Sequence, residues 1–170
     1  MTEGDRRRFE EIFLPYLDAA YNLARWMIQH EQDAQDIVQE AYLRAFKEFS
    51  QFRGGDSKCW FLTIVRNTAY NRLRRQYIEK KFILYEEQIQ PDIPLAIGLE
   101  DELVGKGRQG RLQIALERLP PEFREAIILY DLEGLSYKEL AAALNIPVET
   151  VMSRLSRARR RLREACKFEI

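Results

Sequence analysis

Cysteine and histidine are nearly missing from this chain, which holds two cysteines, Cys59 and Cys166, and one histidine, His30, in 170 residues. Two distant cysteines with no CxxC spacing signal neither a disulfide framework nor a zinc site, and both are expected as reduced thiols. Cys59 reads as a packing cysteine, although its place beside a glycine loop leaves a redox role open. One histidine excludes multi-histidine metal chemistry, and His30, where a helix should end, reads as structural or surface. No metal or other cofactor is expected. Also lacking are a glycine-rich phosphate loop, a nucleophile elbow and an HExxH pair, so nothing supports an enzyme. No apolar run reaches the length of a membrane span, and the opening Met1 to Arg8 has no signal-peptide core. The chain is expected to be cytoplasmic and not itself membrane-inserted.

An excess of one charge is missing too, since 27 Lys and Arg face 27 Asp and Glu. A nucleic-acid partner needs basic surface, so the balance argues against one until the charges are located. They are segregated: Thr150 to Arg163 holds six arginines and no acid, whereas Glu117 to Glu149 holds seven acids against three basic residues. A second basic block, Phe52 to Lys81, has eight basic residues against Asp56 and Glu79. Two basic surfaces imply two places to hold DNA.

Eight glycines and six prolines, with little β-branched alternation, are too few for a sheet, and helical spacing dominates. The expected class is all-α, with two small helical domains joined by a linker, the C-terminal one containing a helix-turn-helix. In the first domain (1–78), Phe9, Phe13, Ala20, Leu23, Ala24 and Met27 recur at helical steps, with Pro15 marking a kink or restart. A second helix after His30 turns Ala34, Ile37, Val38, Ala41, Tyr42, Ala45 and Phe46 inward and Asp33, Asp36, Gln39, Glu40 and Lys47 outward. Gly54 and Gly55 then break the pattern, and Asp56 or Ser57 can cap a third helix from about Lys58. In that helix Trp60, Phe61, Ile64, Val65, Ala69 and Leu73 face the core, and Arg66, Asn67, Tyr70, Asn71, Arg74 and Arg75 mostly do not. Aromatics beside a basic glycine loop suit single-stranded nucleic acid, although Trp60 and Phe61 alone read as core. Periodicity weakens over 79–110, an acidic linker interrupted by Pro91, Pro94 and several glycines.

The second domain (111–170) resumes with Leu112, Ala115, Leu116 and Leu119, then a helix opened by Pro120 and Pro121, with Gly134 as its C-cap. Ser136 and Glu139 form a capping box for the next helix, Leu140, Ala141 and Leu144 are its inner face, and Asn145-Ile146-Pro147 stops it. In the last helix Val148, Val151, Met152, Leu155 and Leu162 are expected to pack. Thr150, Ser153, Arg154, Arg157 and Arg161 are expected outward, where arginine can bond guanine edges in a major groove.

Four blocks in order resemble the extracytoplasmic-function (ECF) sigma factors of bacteria: Asp33 to Glu40, Trp60 to Asn67, Leu119 to Arg124 and Thr150 to Arg159. The resemblance covers nearly the whole chain. It implies a non-enzymatic initiation subunit that binds core RNA polymerase, directs it to promoter DNA and helps melt it, under control of an anti-sigma factor. It assigns Asp33, Asp36, Gln39 and Glu40 to the β′ clamp helices, with further contact to the β subunit. It assigns Phe52, Arg53, Gly54, Asp56, Ser57 and Lys58 of the loop, with Arg66, Asn67, Asn71 and Arg74, to opening the −10 element and capturing an extruded base. Thr150, Ser153, Arg154, Arg157 and Arg161 fall on the part that reads the −35 element as duplex. Many relatives have glycine where this chain has Glu149, which either points away from DNA or accepts from a cytosine amino group. The alternative is a dimeric helix-turn-helix repressor or activator that binds duplex DNA without polymerase.

Overall fold

In a computed structural model, residues 1–87 and 107–167 are described, those at 82–87 and 108–109 by their backbone. Among the described residues there is only helix, turn and loop. Helix α1, Glu3–Phe13, starts at a Thr2/Asp5 capping box that supplies the orphan amides of its first turn. Pro15 then sits in a 3₁₀ turn, Leu14–Tyr16, and α2 restarts at once over Leu17–Ile28. Proline lacks the N–H that a continuous helix would use there, so the chain tightens rather than breaks. Gln29, left-handed at φ 65°, ends α2, and α3 spans Glu31–Lys47. His30 is exposed at its start, with no side-chain cap bond.

Helix α4, Ser57–Glu87, runs on beyond the point where periodicity weakens at 79. No glycine or proline lies between Gly55 and Pro91, so a weaker apolar period leaves the backbone hydrogen bonding of the helix uninterrupted. Residues 88–106, the larger part of the expected linker, with Pro91 and Pro94, lie outside the described residues.

The second group comprises α5 (Arg108–Arg118), α6 (Pro121–Ile127), a π-helical turn (Ile128–Leu132), α7 (Tyr137–Leu144) and α8 (Val148–Lys167). Pro121 opens α6 as a first-turn proline, and the π turn closes where the Glu133 N–H reaches the Ile128 carbonyl at 2.9 Å. Gly134, at φ 74°, turns the chain toward α7. The Ser136/Glu139 box caps α7, with the Glu139 N–H on Ser136 Oγ at 3.1 Å and the Ser136 N–H on Glu139 Oε1 at 3.0 Å. Asn145, left-handed at φ 54°, closes α7 and lets α8 leave across it.

The two helical groups do not stand apart. A single apolar core runs from Phe9, Phe13 and Phe61 through Ala126, Ile128 and Leu129 to Leu140, Val151 and Leu155. Helix α2 packs on α6, and α4 packs on α7. Trp26 bridges to a smaller cluster of Leu116, Leu119, Phe123, Ile127 and Ala158. Burying each large side chain is worth about 1.5–3 kcal/mol, so this shared core is a substantial interface.

Candidate nucleic-acid and partner interfaces

The first surface is the outer face of α3. Ala34, Ile37, Ala41 and Ala45 are buried, and Val38, Tyr42 and Phe46 pack at the edge of the core, which leaves Gln39 and Glu40 exposed. Asp33 and Asp36 are partly engaged within the chain. Arg72 Nη2 of α4 donates to Asp33 Oδ1 at 3.3 Å and to Asp36 Oδ2 at 3.1 Å. Gln76 Nε2 adds a bond to Asp33 Oδ2 at 3.4 Å. Arg72 therefore sets the orientation of both carboxylates, a role that a basic residue thirty-six positions away from Asp36 does not announce in sequence. Leu43, one turn on from Gln39 and Glu40, is 54% exposed, and it was missed as a surface residue. Its signal was available: at a position between two inward residues of the stripe, a leucine has no core to enter.

The second surface is the loop before α4 and the first half of that helix. Gly54 and Gly55 have φ of 88° and 92°, consecutive left-handed residues that a side chain would strain. Asp56 caps α4, its Oδ1 accepting from the Cys59 N–H at 2.9 Å. The neighbouring Glu139 side chain and that amide hold the Asp56 carboxyl below the ordinary range. Tyr16 Oη and Ser57 Oγ share a 3.1 Å hydrogen bond that ties the loop end to α2. Phe52 is half-buried on Phe49, Phe13 and Trp60, with ring centroids 6.3, 5.7 and 5.1 Å away. Phe61 is fully buried and Trp60 partly, so both serve the core. Cys59 is half-buried, and burial pushes its thiol up, which disfavours the reactive thiolate. Arg53, Asn67, Asn71 and Arg74 are exposed.

Two basic residues expected on this surface are not free. Lys58 Nζ donates to the Glu133 carbonyl at 2.9 Å and lies 3.4 Å from Glu133 Oε2. Arg66 is held more tightly, with Nε donating to Glu125 Oε2 at 2.7 Å and Nη2 to Oε1 at 3.1 Å. Its guanidinium also lies 4.4 Å from the centre of the Tyr70 ring. The Arg66 side chain retains 19% exposure and Glu125 none. That difference explains their titration: burial pushes the Glu125 carboxyl up despite Arg66 and Tyr70, whereas the pair outweighs burial at Arg66 and raises it. Burial and the neighbouring Glu125 also push Tyr70 far up, which makes its hydroxyl a donor. Tyr70 was expected mostly outward and is instead part of this junction.

The third surface is α8. Its buried stripe is Val151, Leu155 and Ala158, with Leu162 packed at the edge. Val148 and Met152, expected to pack, are 39% and 53% exposed. They lie to one side of the Val151 and Leu155 stripe, where no element covers them among the described residues. Ser153 Oγ donates to the Thr150 carbonyl at 3.0 Å. Thr150 and Arg154 are half-buried and Arg157 is exposed. Arg161 is exposed but lies over the Phe123 ring at 4.7 Å, and Arg159 pairs with Asp131 at 3.0 Å. Glu149 is exposed in the first turn, where a carboxylate suits the helix dipole.

Between these surfaces lies a residue that ends one of the four resembling blocks but for which the sequence suggested no role. Arg124 is buried, and its guanidinium donates to the carbonyls of Leu116, Glu117 and Leu119 at the end of α5 and of Trp26 and Met27 near the end of α2. Helix ends expose carbonyls that need donors, and a buried cation without a carboxylate is tolerable where several such dipoles converge. Among the described residues, no cluster of His, Cys, Asp and Glu could hold a metal, and no helix is long and apolar enough to cross a membrane.

Known proteins match two stretches of the chain. Residues 12–77 match the Sigma-70 region 2 family and residues 109–162 match Sigma-70, region 4. The RNA polymerase sigma-H factor of Pseudomonas aeruginosa is 32% identical, with 97% of this chain and 89% of that protein covered. The ECF RNA polymerase sigma factor SigE of Mycolicibacterium smegmatis is 33% identical over 92% of this chain, which spans 60% of its length. Among solved structures, the sigma factor RpoE in complex with the anti-sigma factor NepR from Bartonella quintana superposes with a TM-score of 0.75 at 29% identity. That match covers 95% of this chain and 98% of the other. A helical pair of regions of these two kinds defines a sigma-70 type transcription initiation factor. The chain belongs to the ECF RNA polymerase sigma factor family.

Proposed function

We propose that this chain is the promoter-specificity subunit of an RNA polymerase, with 1–78 as the core-binding and −10 domain, 79–110 as linker and 111–170 as the −35 domain. The observation that carries it is the placing of an acidic face and two basic faces on one short helical chain that matches sigma regions 2 and 4. Asp33, Asp36, Gln39 and Glu40, with Leu43 beside them, engage basic side chains on the polymerase clamp helices. Arg72 presets the two aspartates, so less ordering remains for the moment of binding.

Phe52, Arg53, Gly54, Asp56, Ser57 and Lys58 line the path of an unpaired strand, and Arg66, Asn67, Asn71 and Arg74 line the adjoining face of α4. Cations take the phosphates, amides read base edges, and Phe52 offers a ring at the loop. In α8, Ser153 and Arg157 point outward to a duplex, with Thr150 and Arg154 at the margin and Arg161 nearer the backbone end. The polymerase supplies the chemistry, so the chain is not itself an enzyme, and it works in the cytoplasm where that polymerase acts. An anti-sigma factor is the expected regulator, since the solved relative that covers nearly the whole chain was captured with one.

The test is promoter-specific run-off transcription with core polymerase and a promoter library. Transcripts that depend on this chain and disappear with Asp36→Ala are the expected result. Tight operator binding without polymerase, and no specific transcript, would overturn the proposal in favour of a repressor.

A further inference from the structure

Residues 148–153, the first six of α8, hold no cation, whereas the six arginines of that helix all lie from Arg154 onward. The end that grips phosphates and the end that can choose bases are therefore separate, since phosphate contacts position a helix and base contacts specify. At about 100° per residue, the buried stripe of Val151 and Leu155 has two margins. Thr150 and Arg154 form one, half-buried and polar. Val148 and Met152 form the other, exposed and apolar, and Glu149 and Ser153 occupy the outer face between the two margins. We propose that Val148 and Met152 are specificity-determining residues that read the C5-methyl groups of thymines in the −35 duplex. This rests on the reading of α8 as the helix that enters that duplex.

Three observations support it. The edges of base pairs in a major groove are polar except for the thymine methyl, so an uncovered apolar margin on a helix drawn to DNA by six arginines finds its partner there. The hydroxyls at the same end are committed elsewhere: Ser153 Oγ donates to the Thr150 carbonyl at 3.0 Å and spends its proton on the helix, and Thr150 is half-buried. Base choice in the first turns therefore falls to Glu149, Val148 and Met152. Spacing is the third observation. Val148 and Met152 are four residues apart, about 6 Å along the helix axis against a base-pair rise of about 3.4 Å, so the two side chains reach different base pairs. Contact with the methyls also takes from water the apolar surface that the fold leaves uncovered, an attraction that salt does not screen as it screens the arginine contacts.

The probe is a promoter chosen by the protein itself. Holoenzyme assembled from core RNA polymerase and the full chain selects from a duplex library randomised across the −35 element, and thymine is expected to be enriched at one or two positions on either strand. Each such thymidine is then replaced by deoxyuridine, which removes the methyl and leaves every hydrogen-bonding group in place. Filter binding of the holoenzyme is expected to weaken about fourfold at those positions, the worth of one buried methyl group. Met152→Ala should weaken binding to the thymine promoter to a similar extent and erase the uracil effect at one position, and Val148→Ala should erase it at another. Both side chains are exposed, so the variants keep the fold, which matching thermal melts confirm. A −35 consensus without thymine, equal binding of thymine and uracil promoters by the wild type, or a uracil effect that both variants retain would overturn the assignment. A holoenzyme that enriches a promoter but shows no uracil effect defeats this inference alone. A library in which no promoter is enriched defeats the functional reading beneath it.

Discussion

Asp56 shows how one loop residue can serve stability and charge together. It caps α4 through the Cys59 N–H at 2.9 Å, with Glu139 of the other half as its neighbour. Its carboxyl is held below the ordinary value of 3.8, so the stabilisation is present above that pH and fades as pH falls through the lowered value. Asp56→Ala should therefore cost about 1 kcal/mol at neutral pH through loss of the cap, whereas Asp56→Asn keeps an oxygen for the amide and costs less. Denaturation followed at neutral pH and again near about pH 3 checks the sign, because only the wild type should lose this contribution in acid. At this scale the sequence was informative wherever a residue acts on its own neighbours. Thr2, Ser136, Asn145 and the glycine pair are local devices, and the capping box at Ser136 and Glu139 formed with the spacing that suggested it. Arg124 and Glu125 were opaque for the opposite reason, since their partners lie in α2, α5 and α4 and nothing in the run Pro121 to Ile127 names them.

Helices were legible through their apolar period, which says which face is buried but not what covers it. α3 and the first half of α4 follow the expected stripes. α8 does so at Val151, Leu155 and Leu162 but not at Val148 and Met152, which lie to one side of the buried stripe. The far end of α4 was hidden because the periodicity weakens after 79, although no breaker interrupts the helix before Pro91. The first turn of α8 carries an acidic residue on a helix otherwise rich in arginine. Glu149 is exposed there, beside Thr150, and a carboxylate that favours the helix dipole repels a phosphate approaching the same end. Glu149→Gly is expected to strengthen −35 duplex binding across unrelated promoter sequences, with the largest effect at low salt. Affinity measured over a salt series checks this, and unchanged affinity at every concentration would count against it.

The whole molecule is held as one body by the shared core and by Arg124. Replacing Arg124 by alanine strands buried carbonyls at the ends of α2 and α5, a loss of about 2–4 kcal/mol in urea denaturation, and lysine should recover only part because it cannot span both helix ends. Two domains could be expected from the sequence, but not that they meet through Trp26 and Arg124, since separation in sequence says nothing of contact in space. The bonding of Arg124 also has a consequence for how the halves part. Three of its five carbonyl acceptors, on Leu116, Glu117 and Leu119, belong to its own half, and two, on Trp26 and Met27, belong to the other. When α2 withdraws, the guanidinium keeps its seat on α5, and the Trp26 and Met27 carbonyls can turn to water. The junction is therefore built like a snap fastener whose stud is sewn to one side, three of its five bonds being independent of the helix it joins.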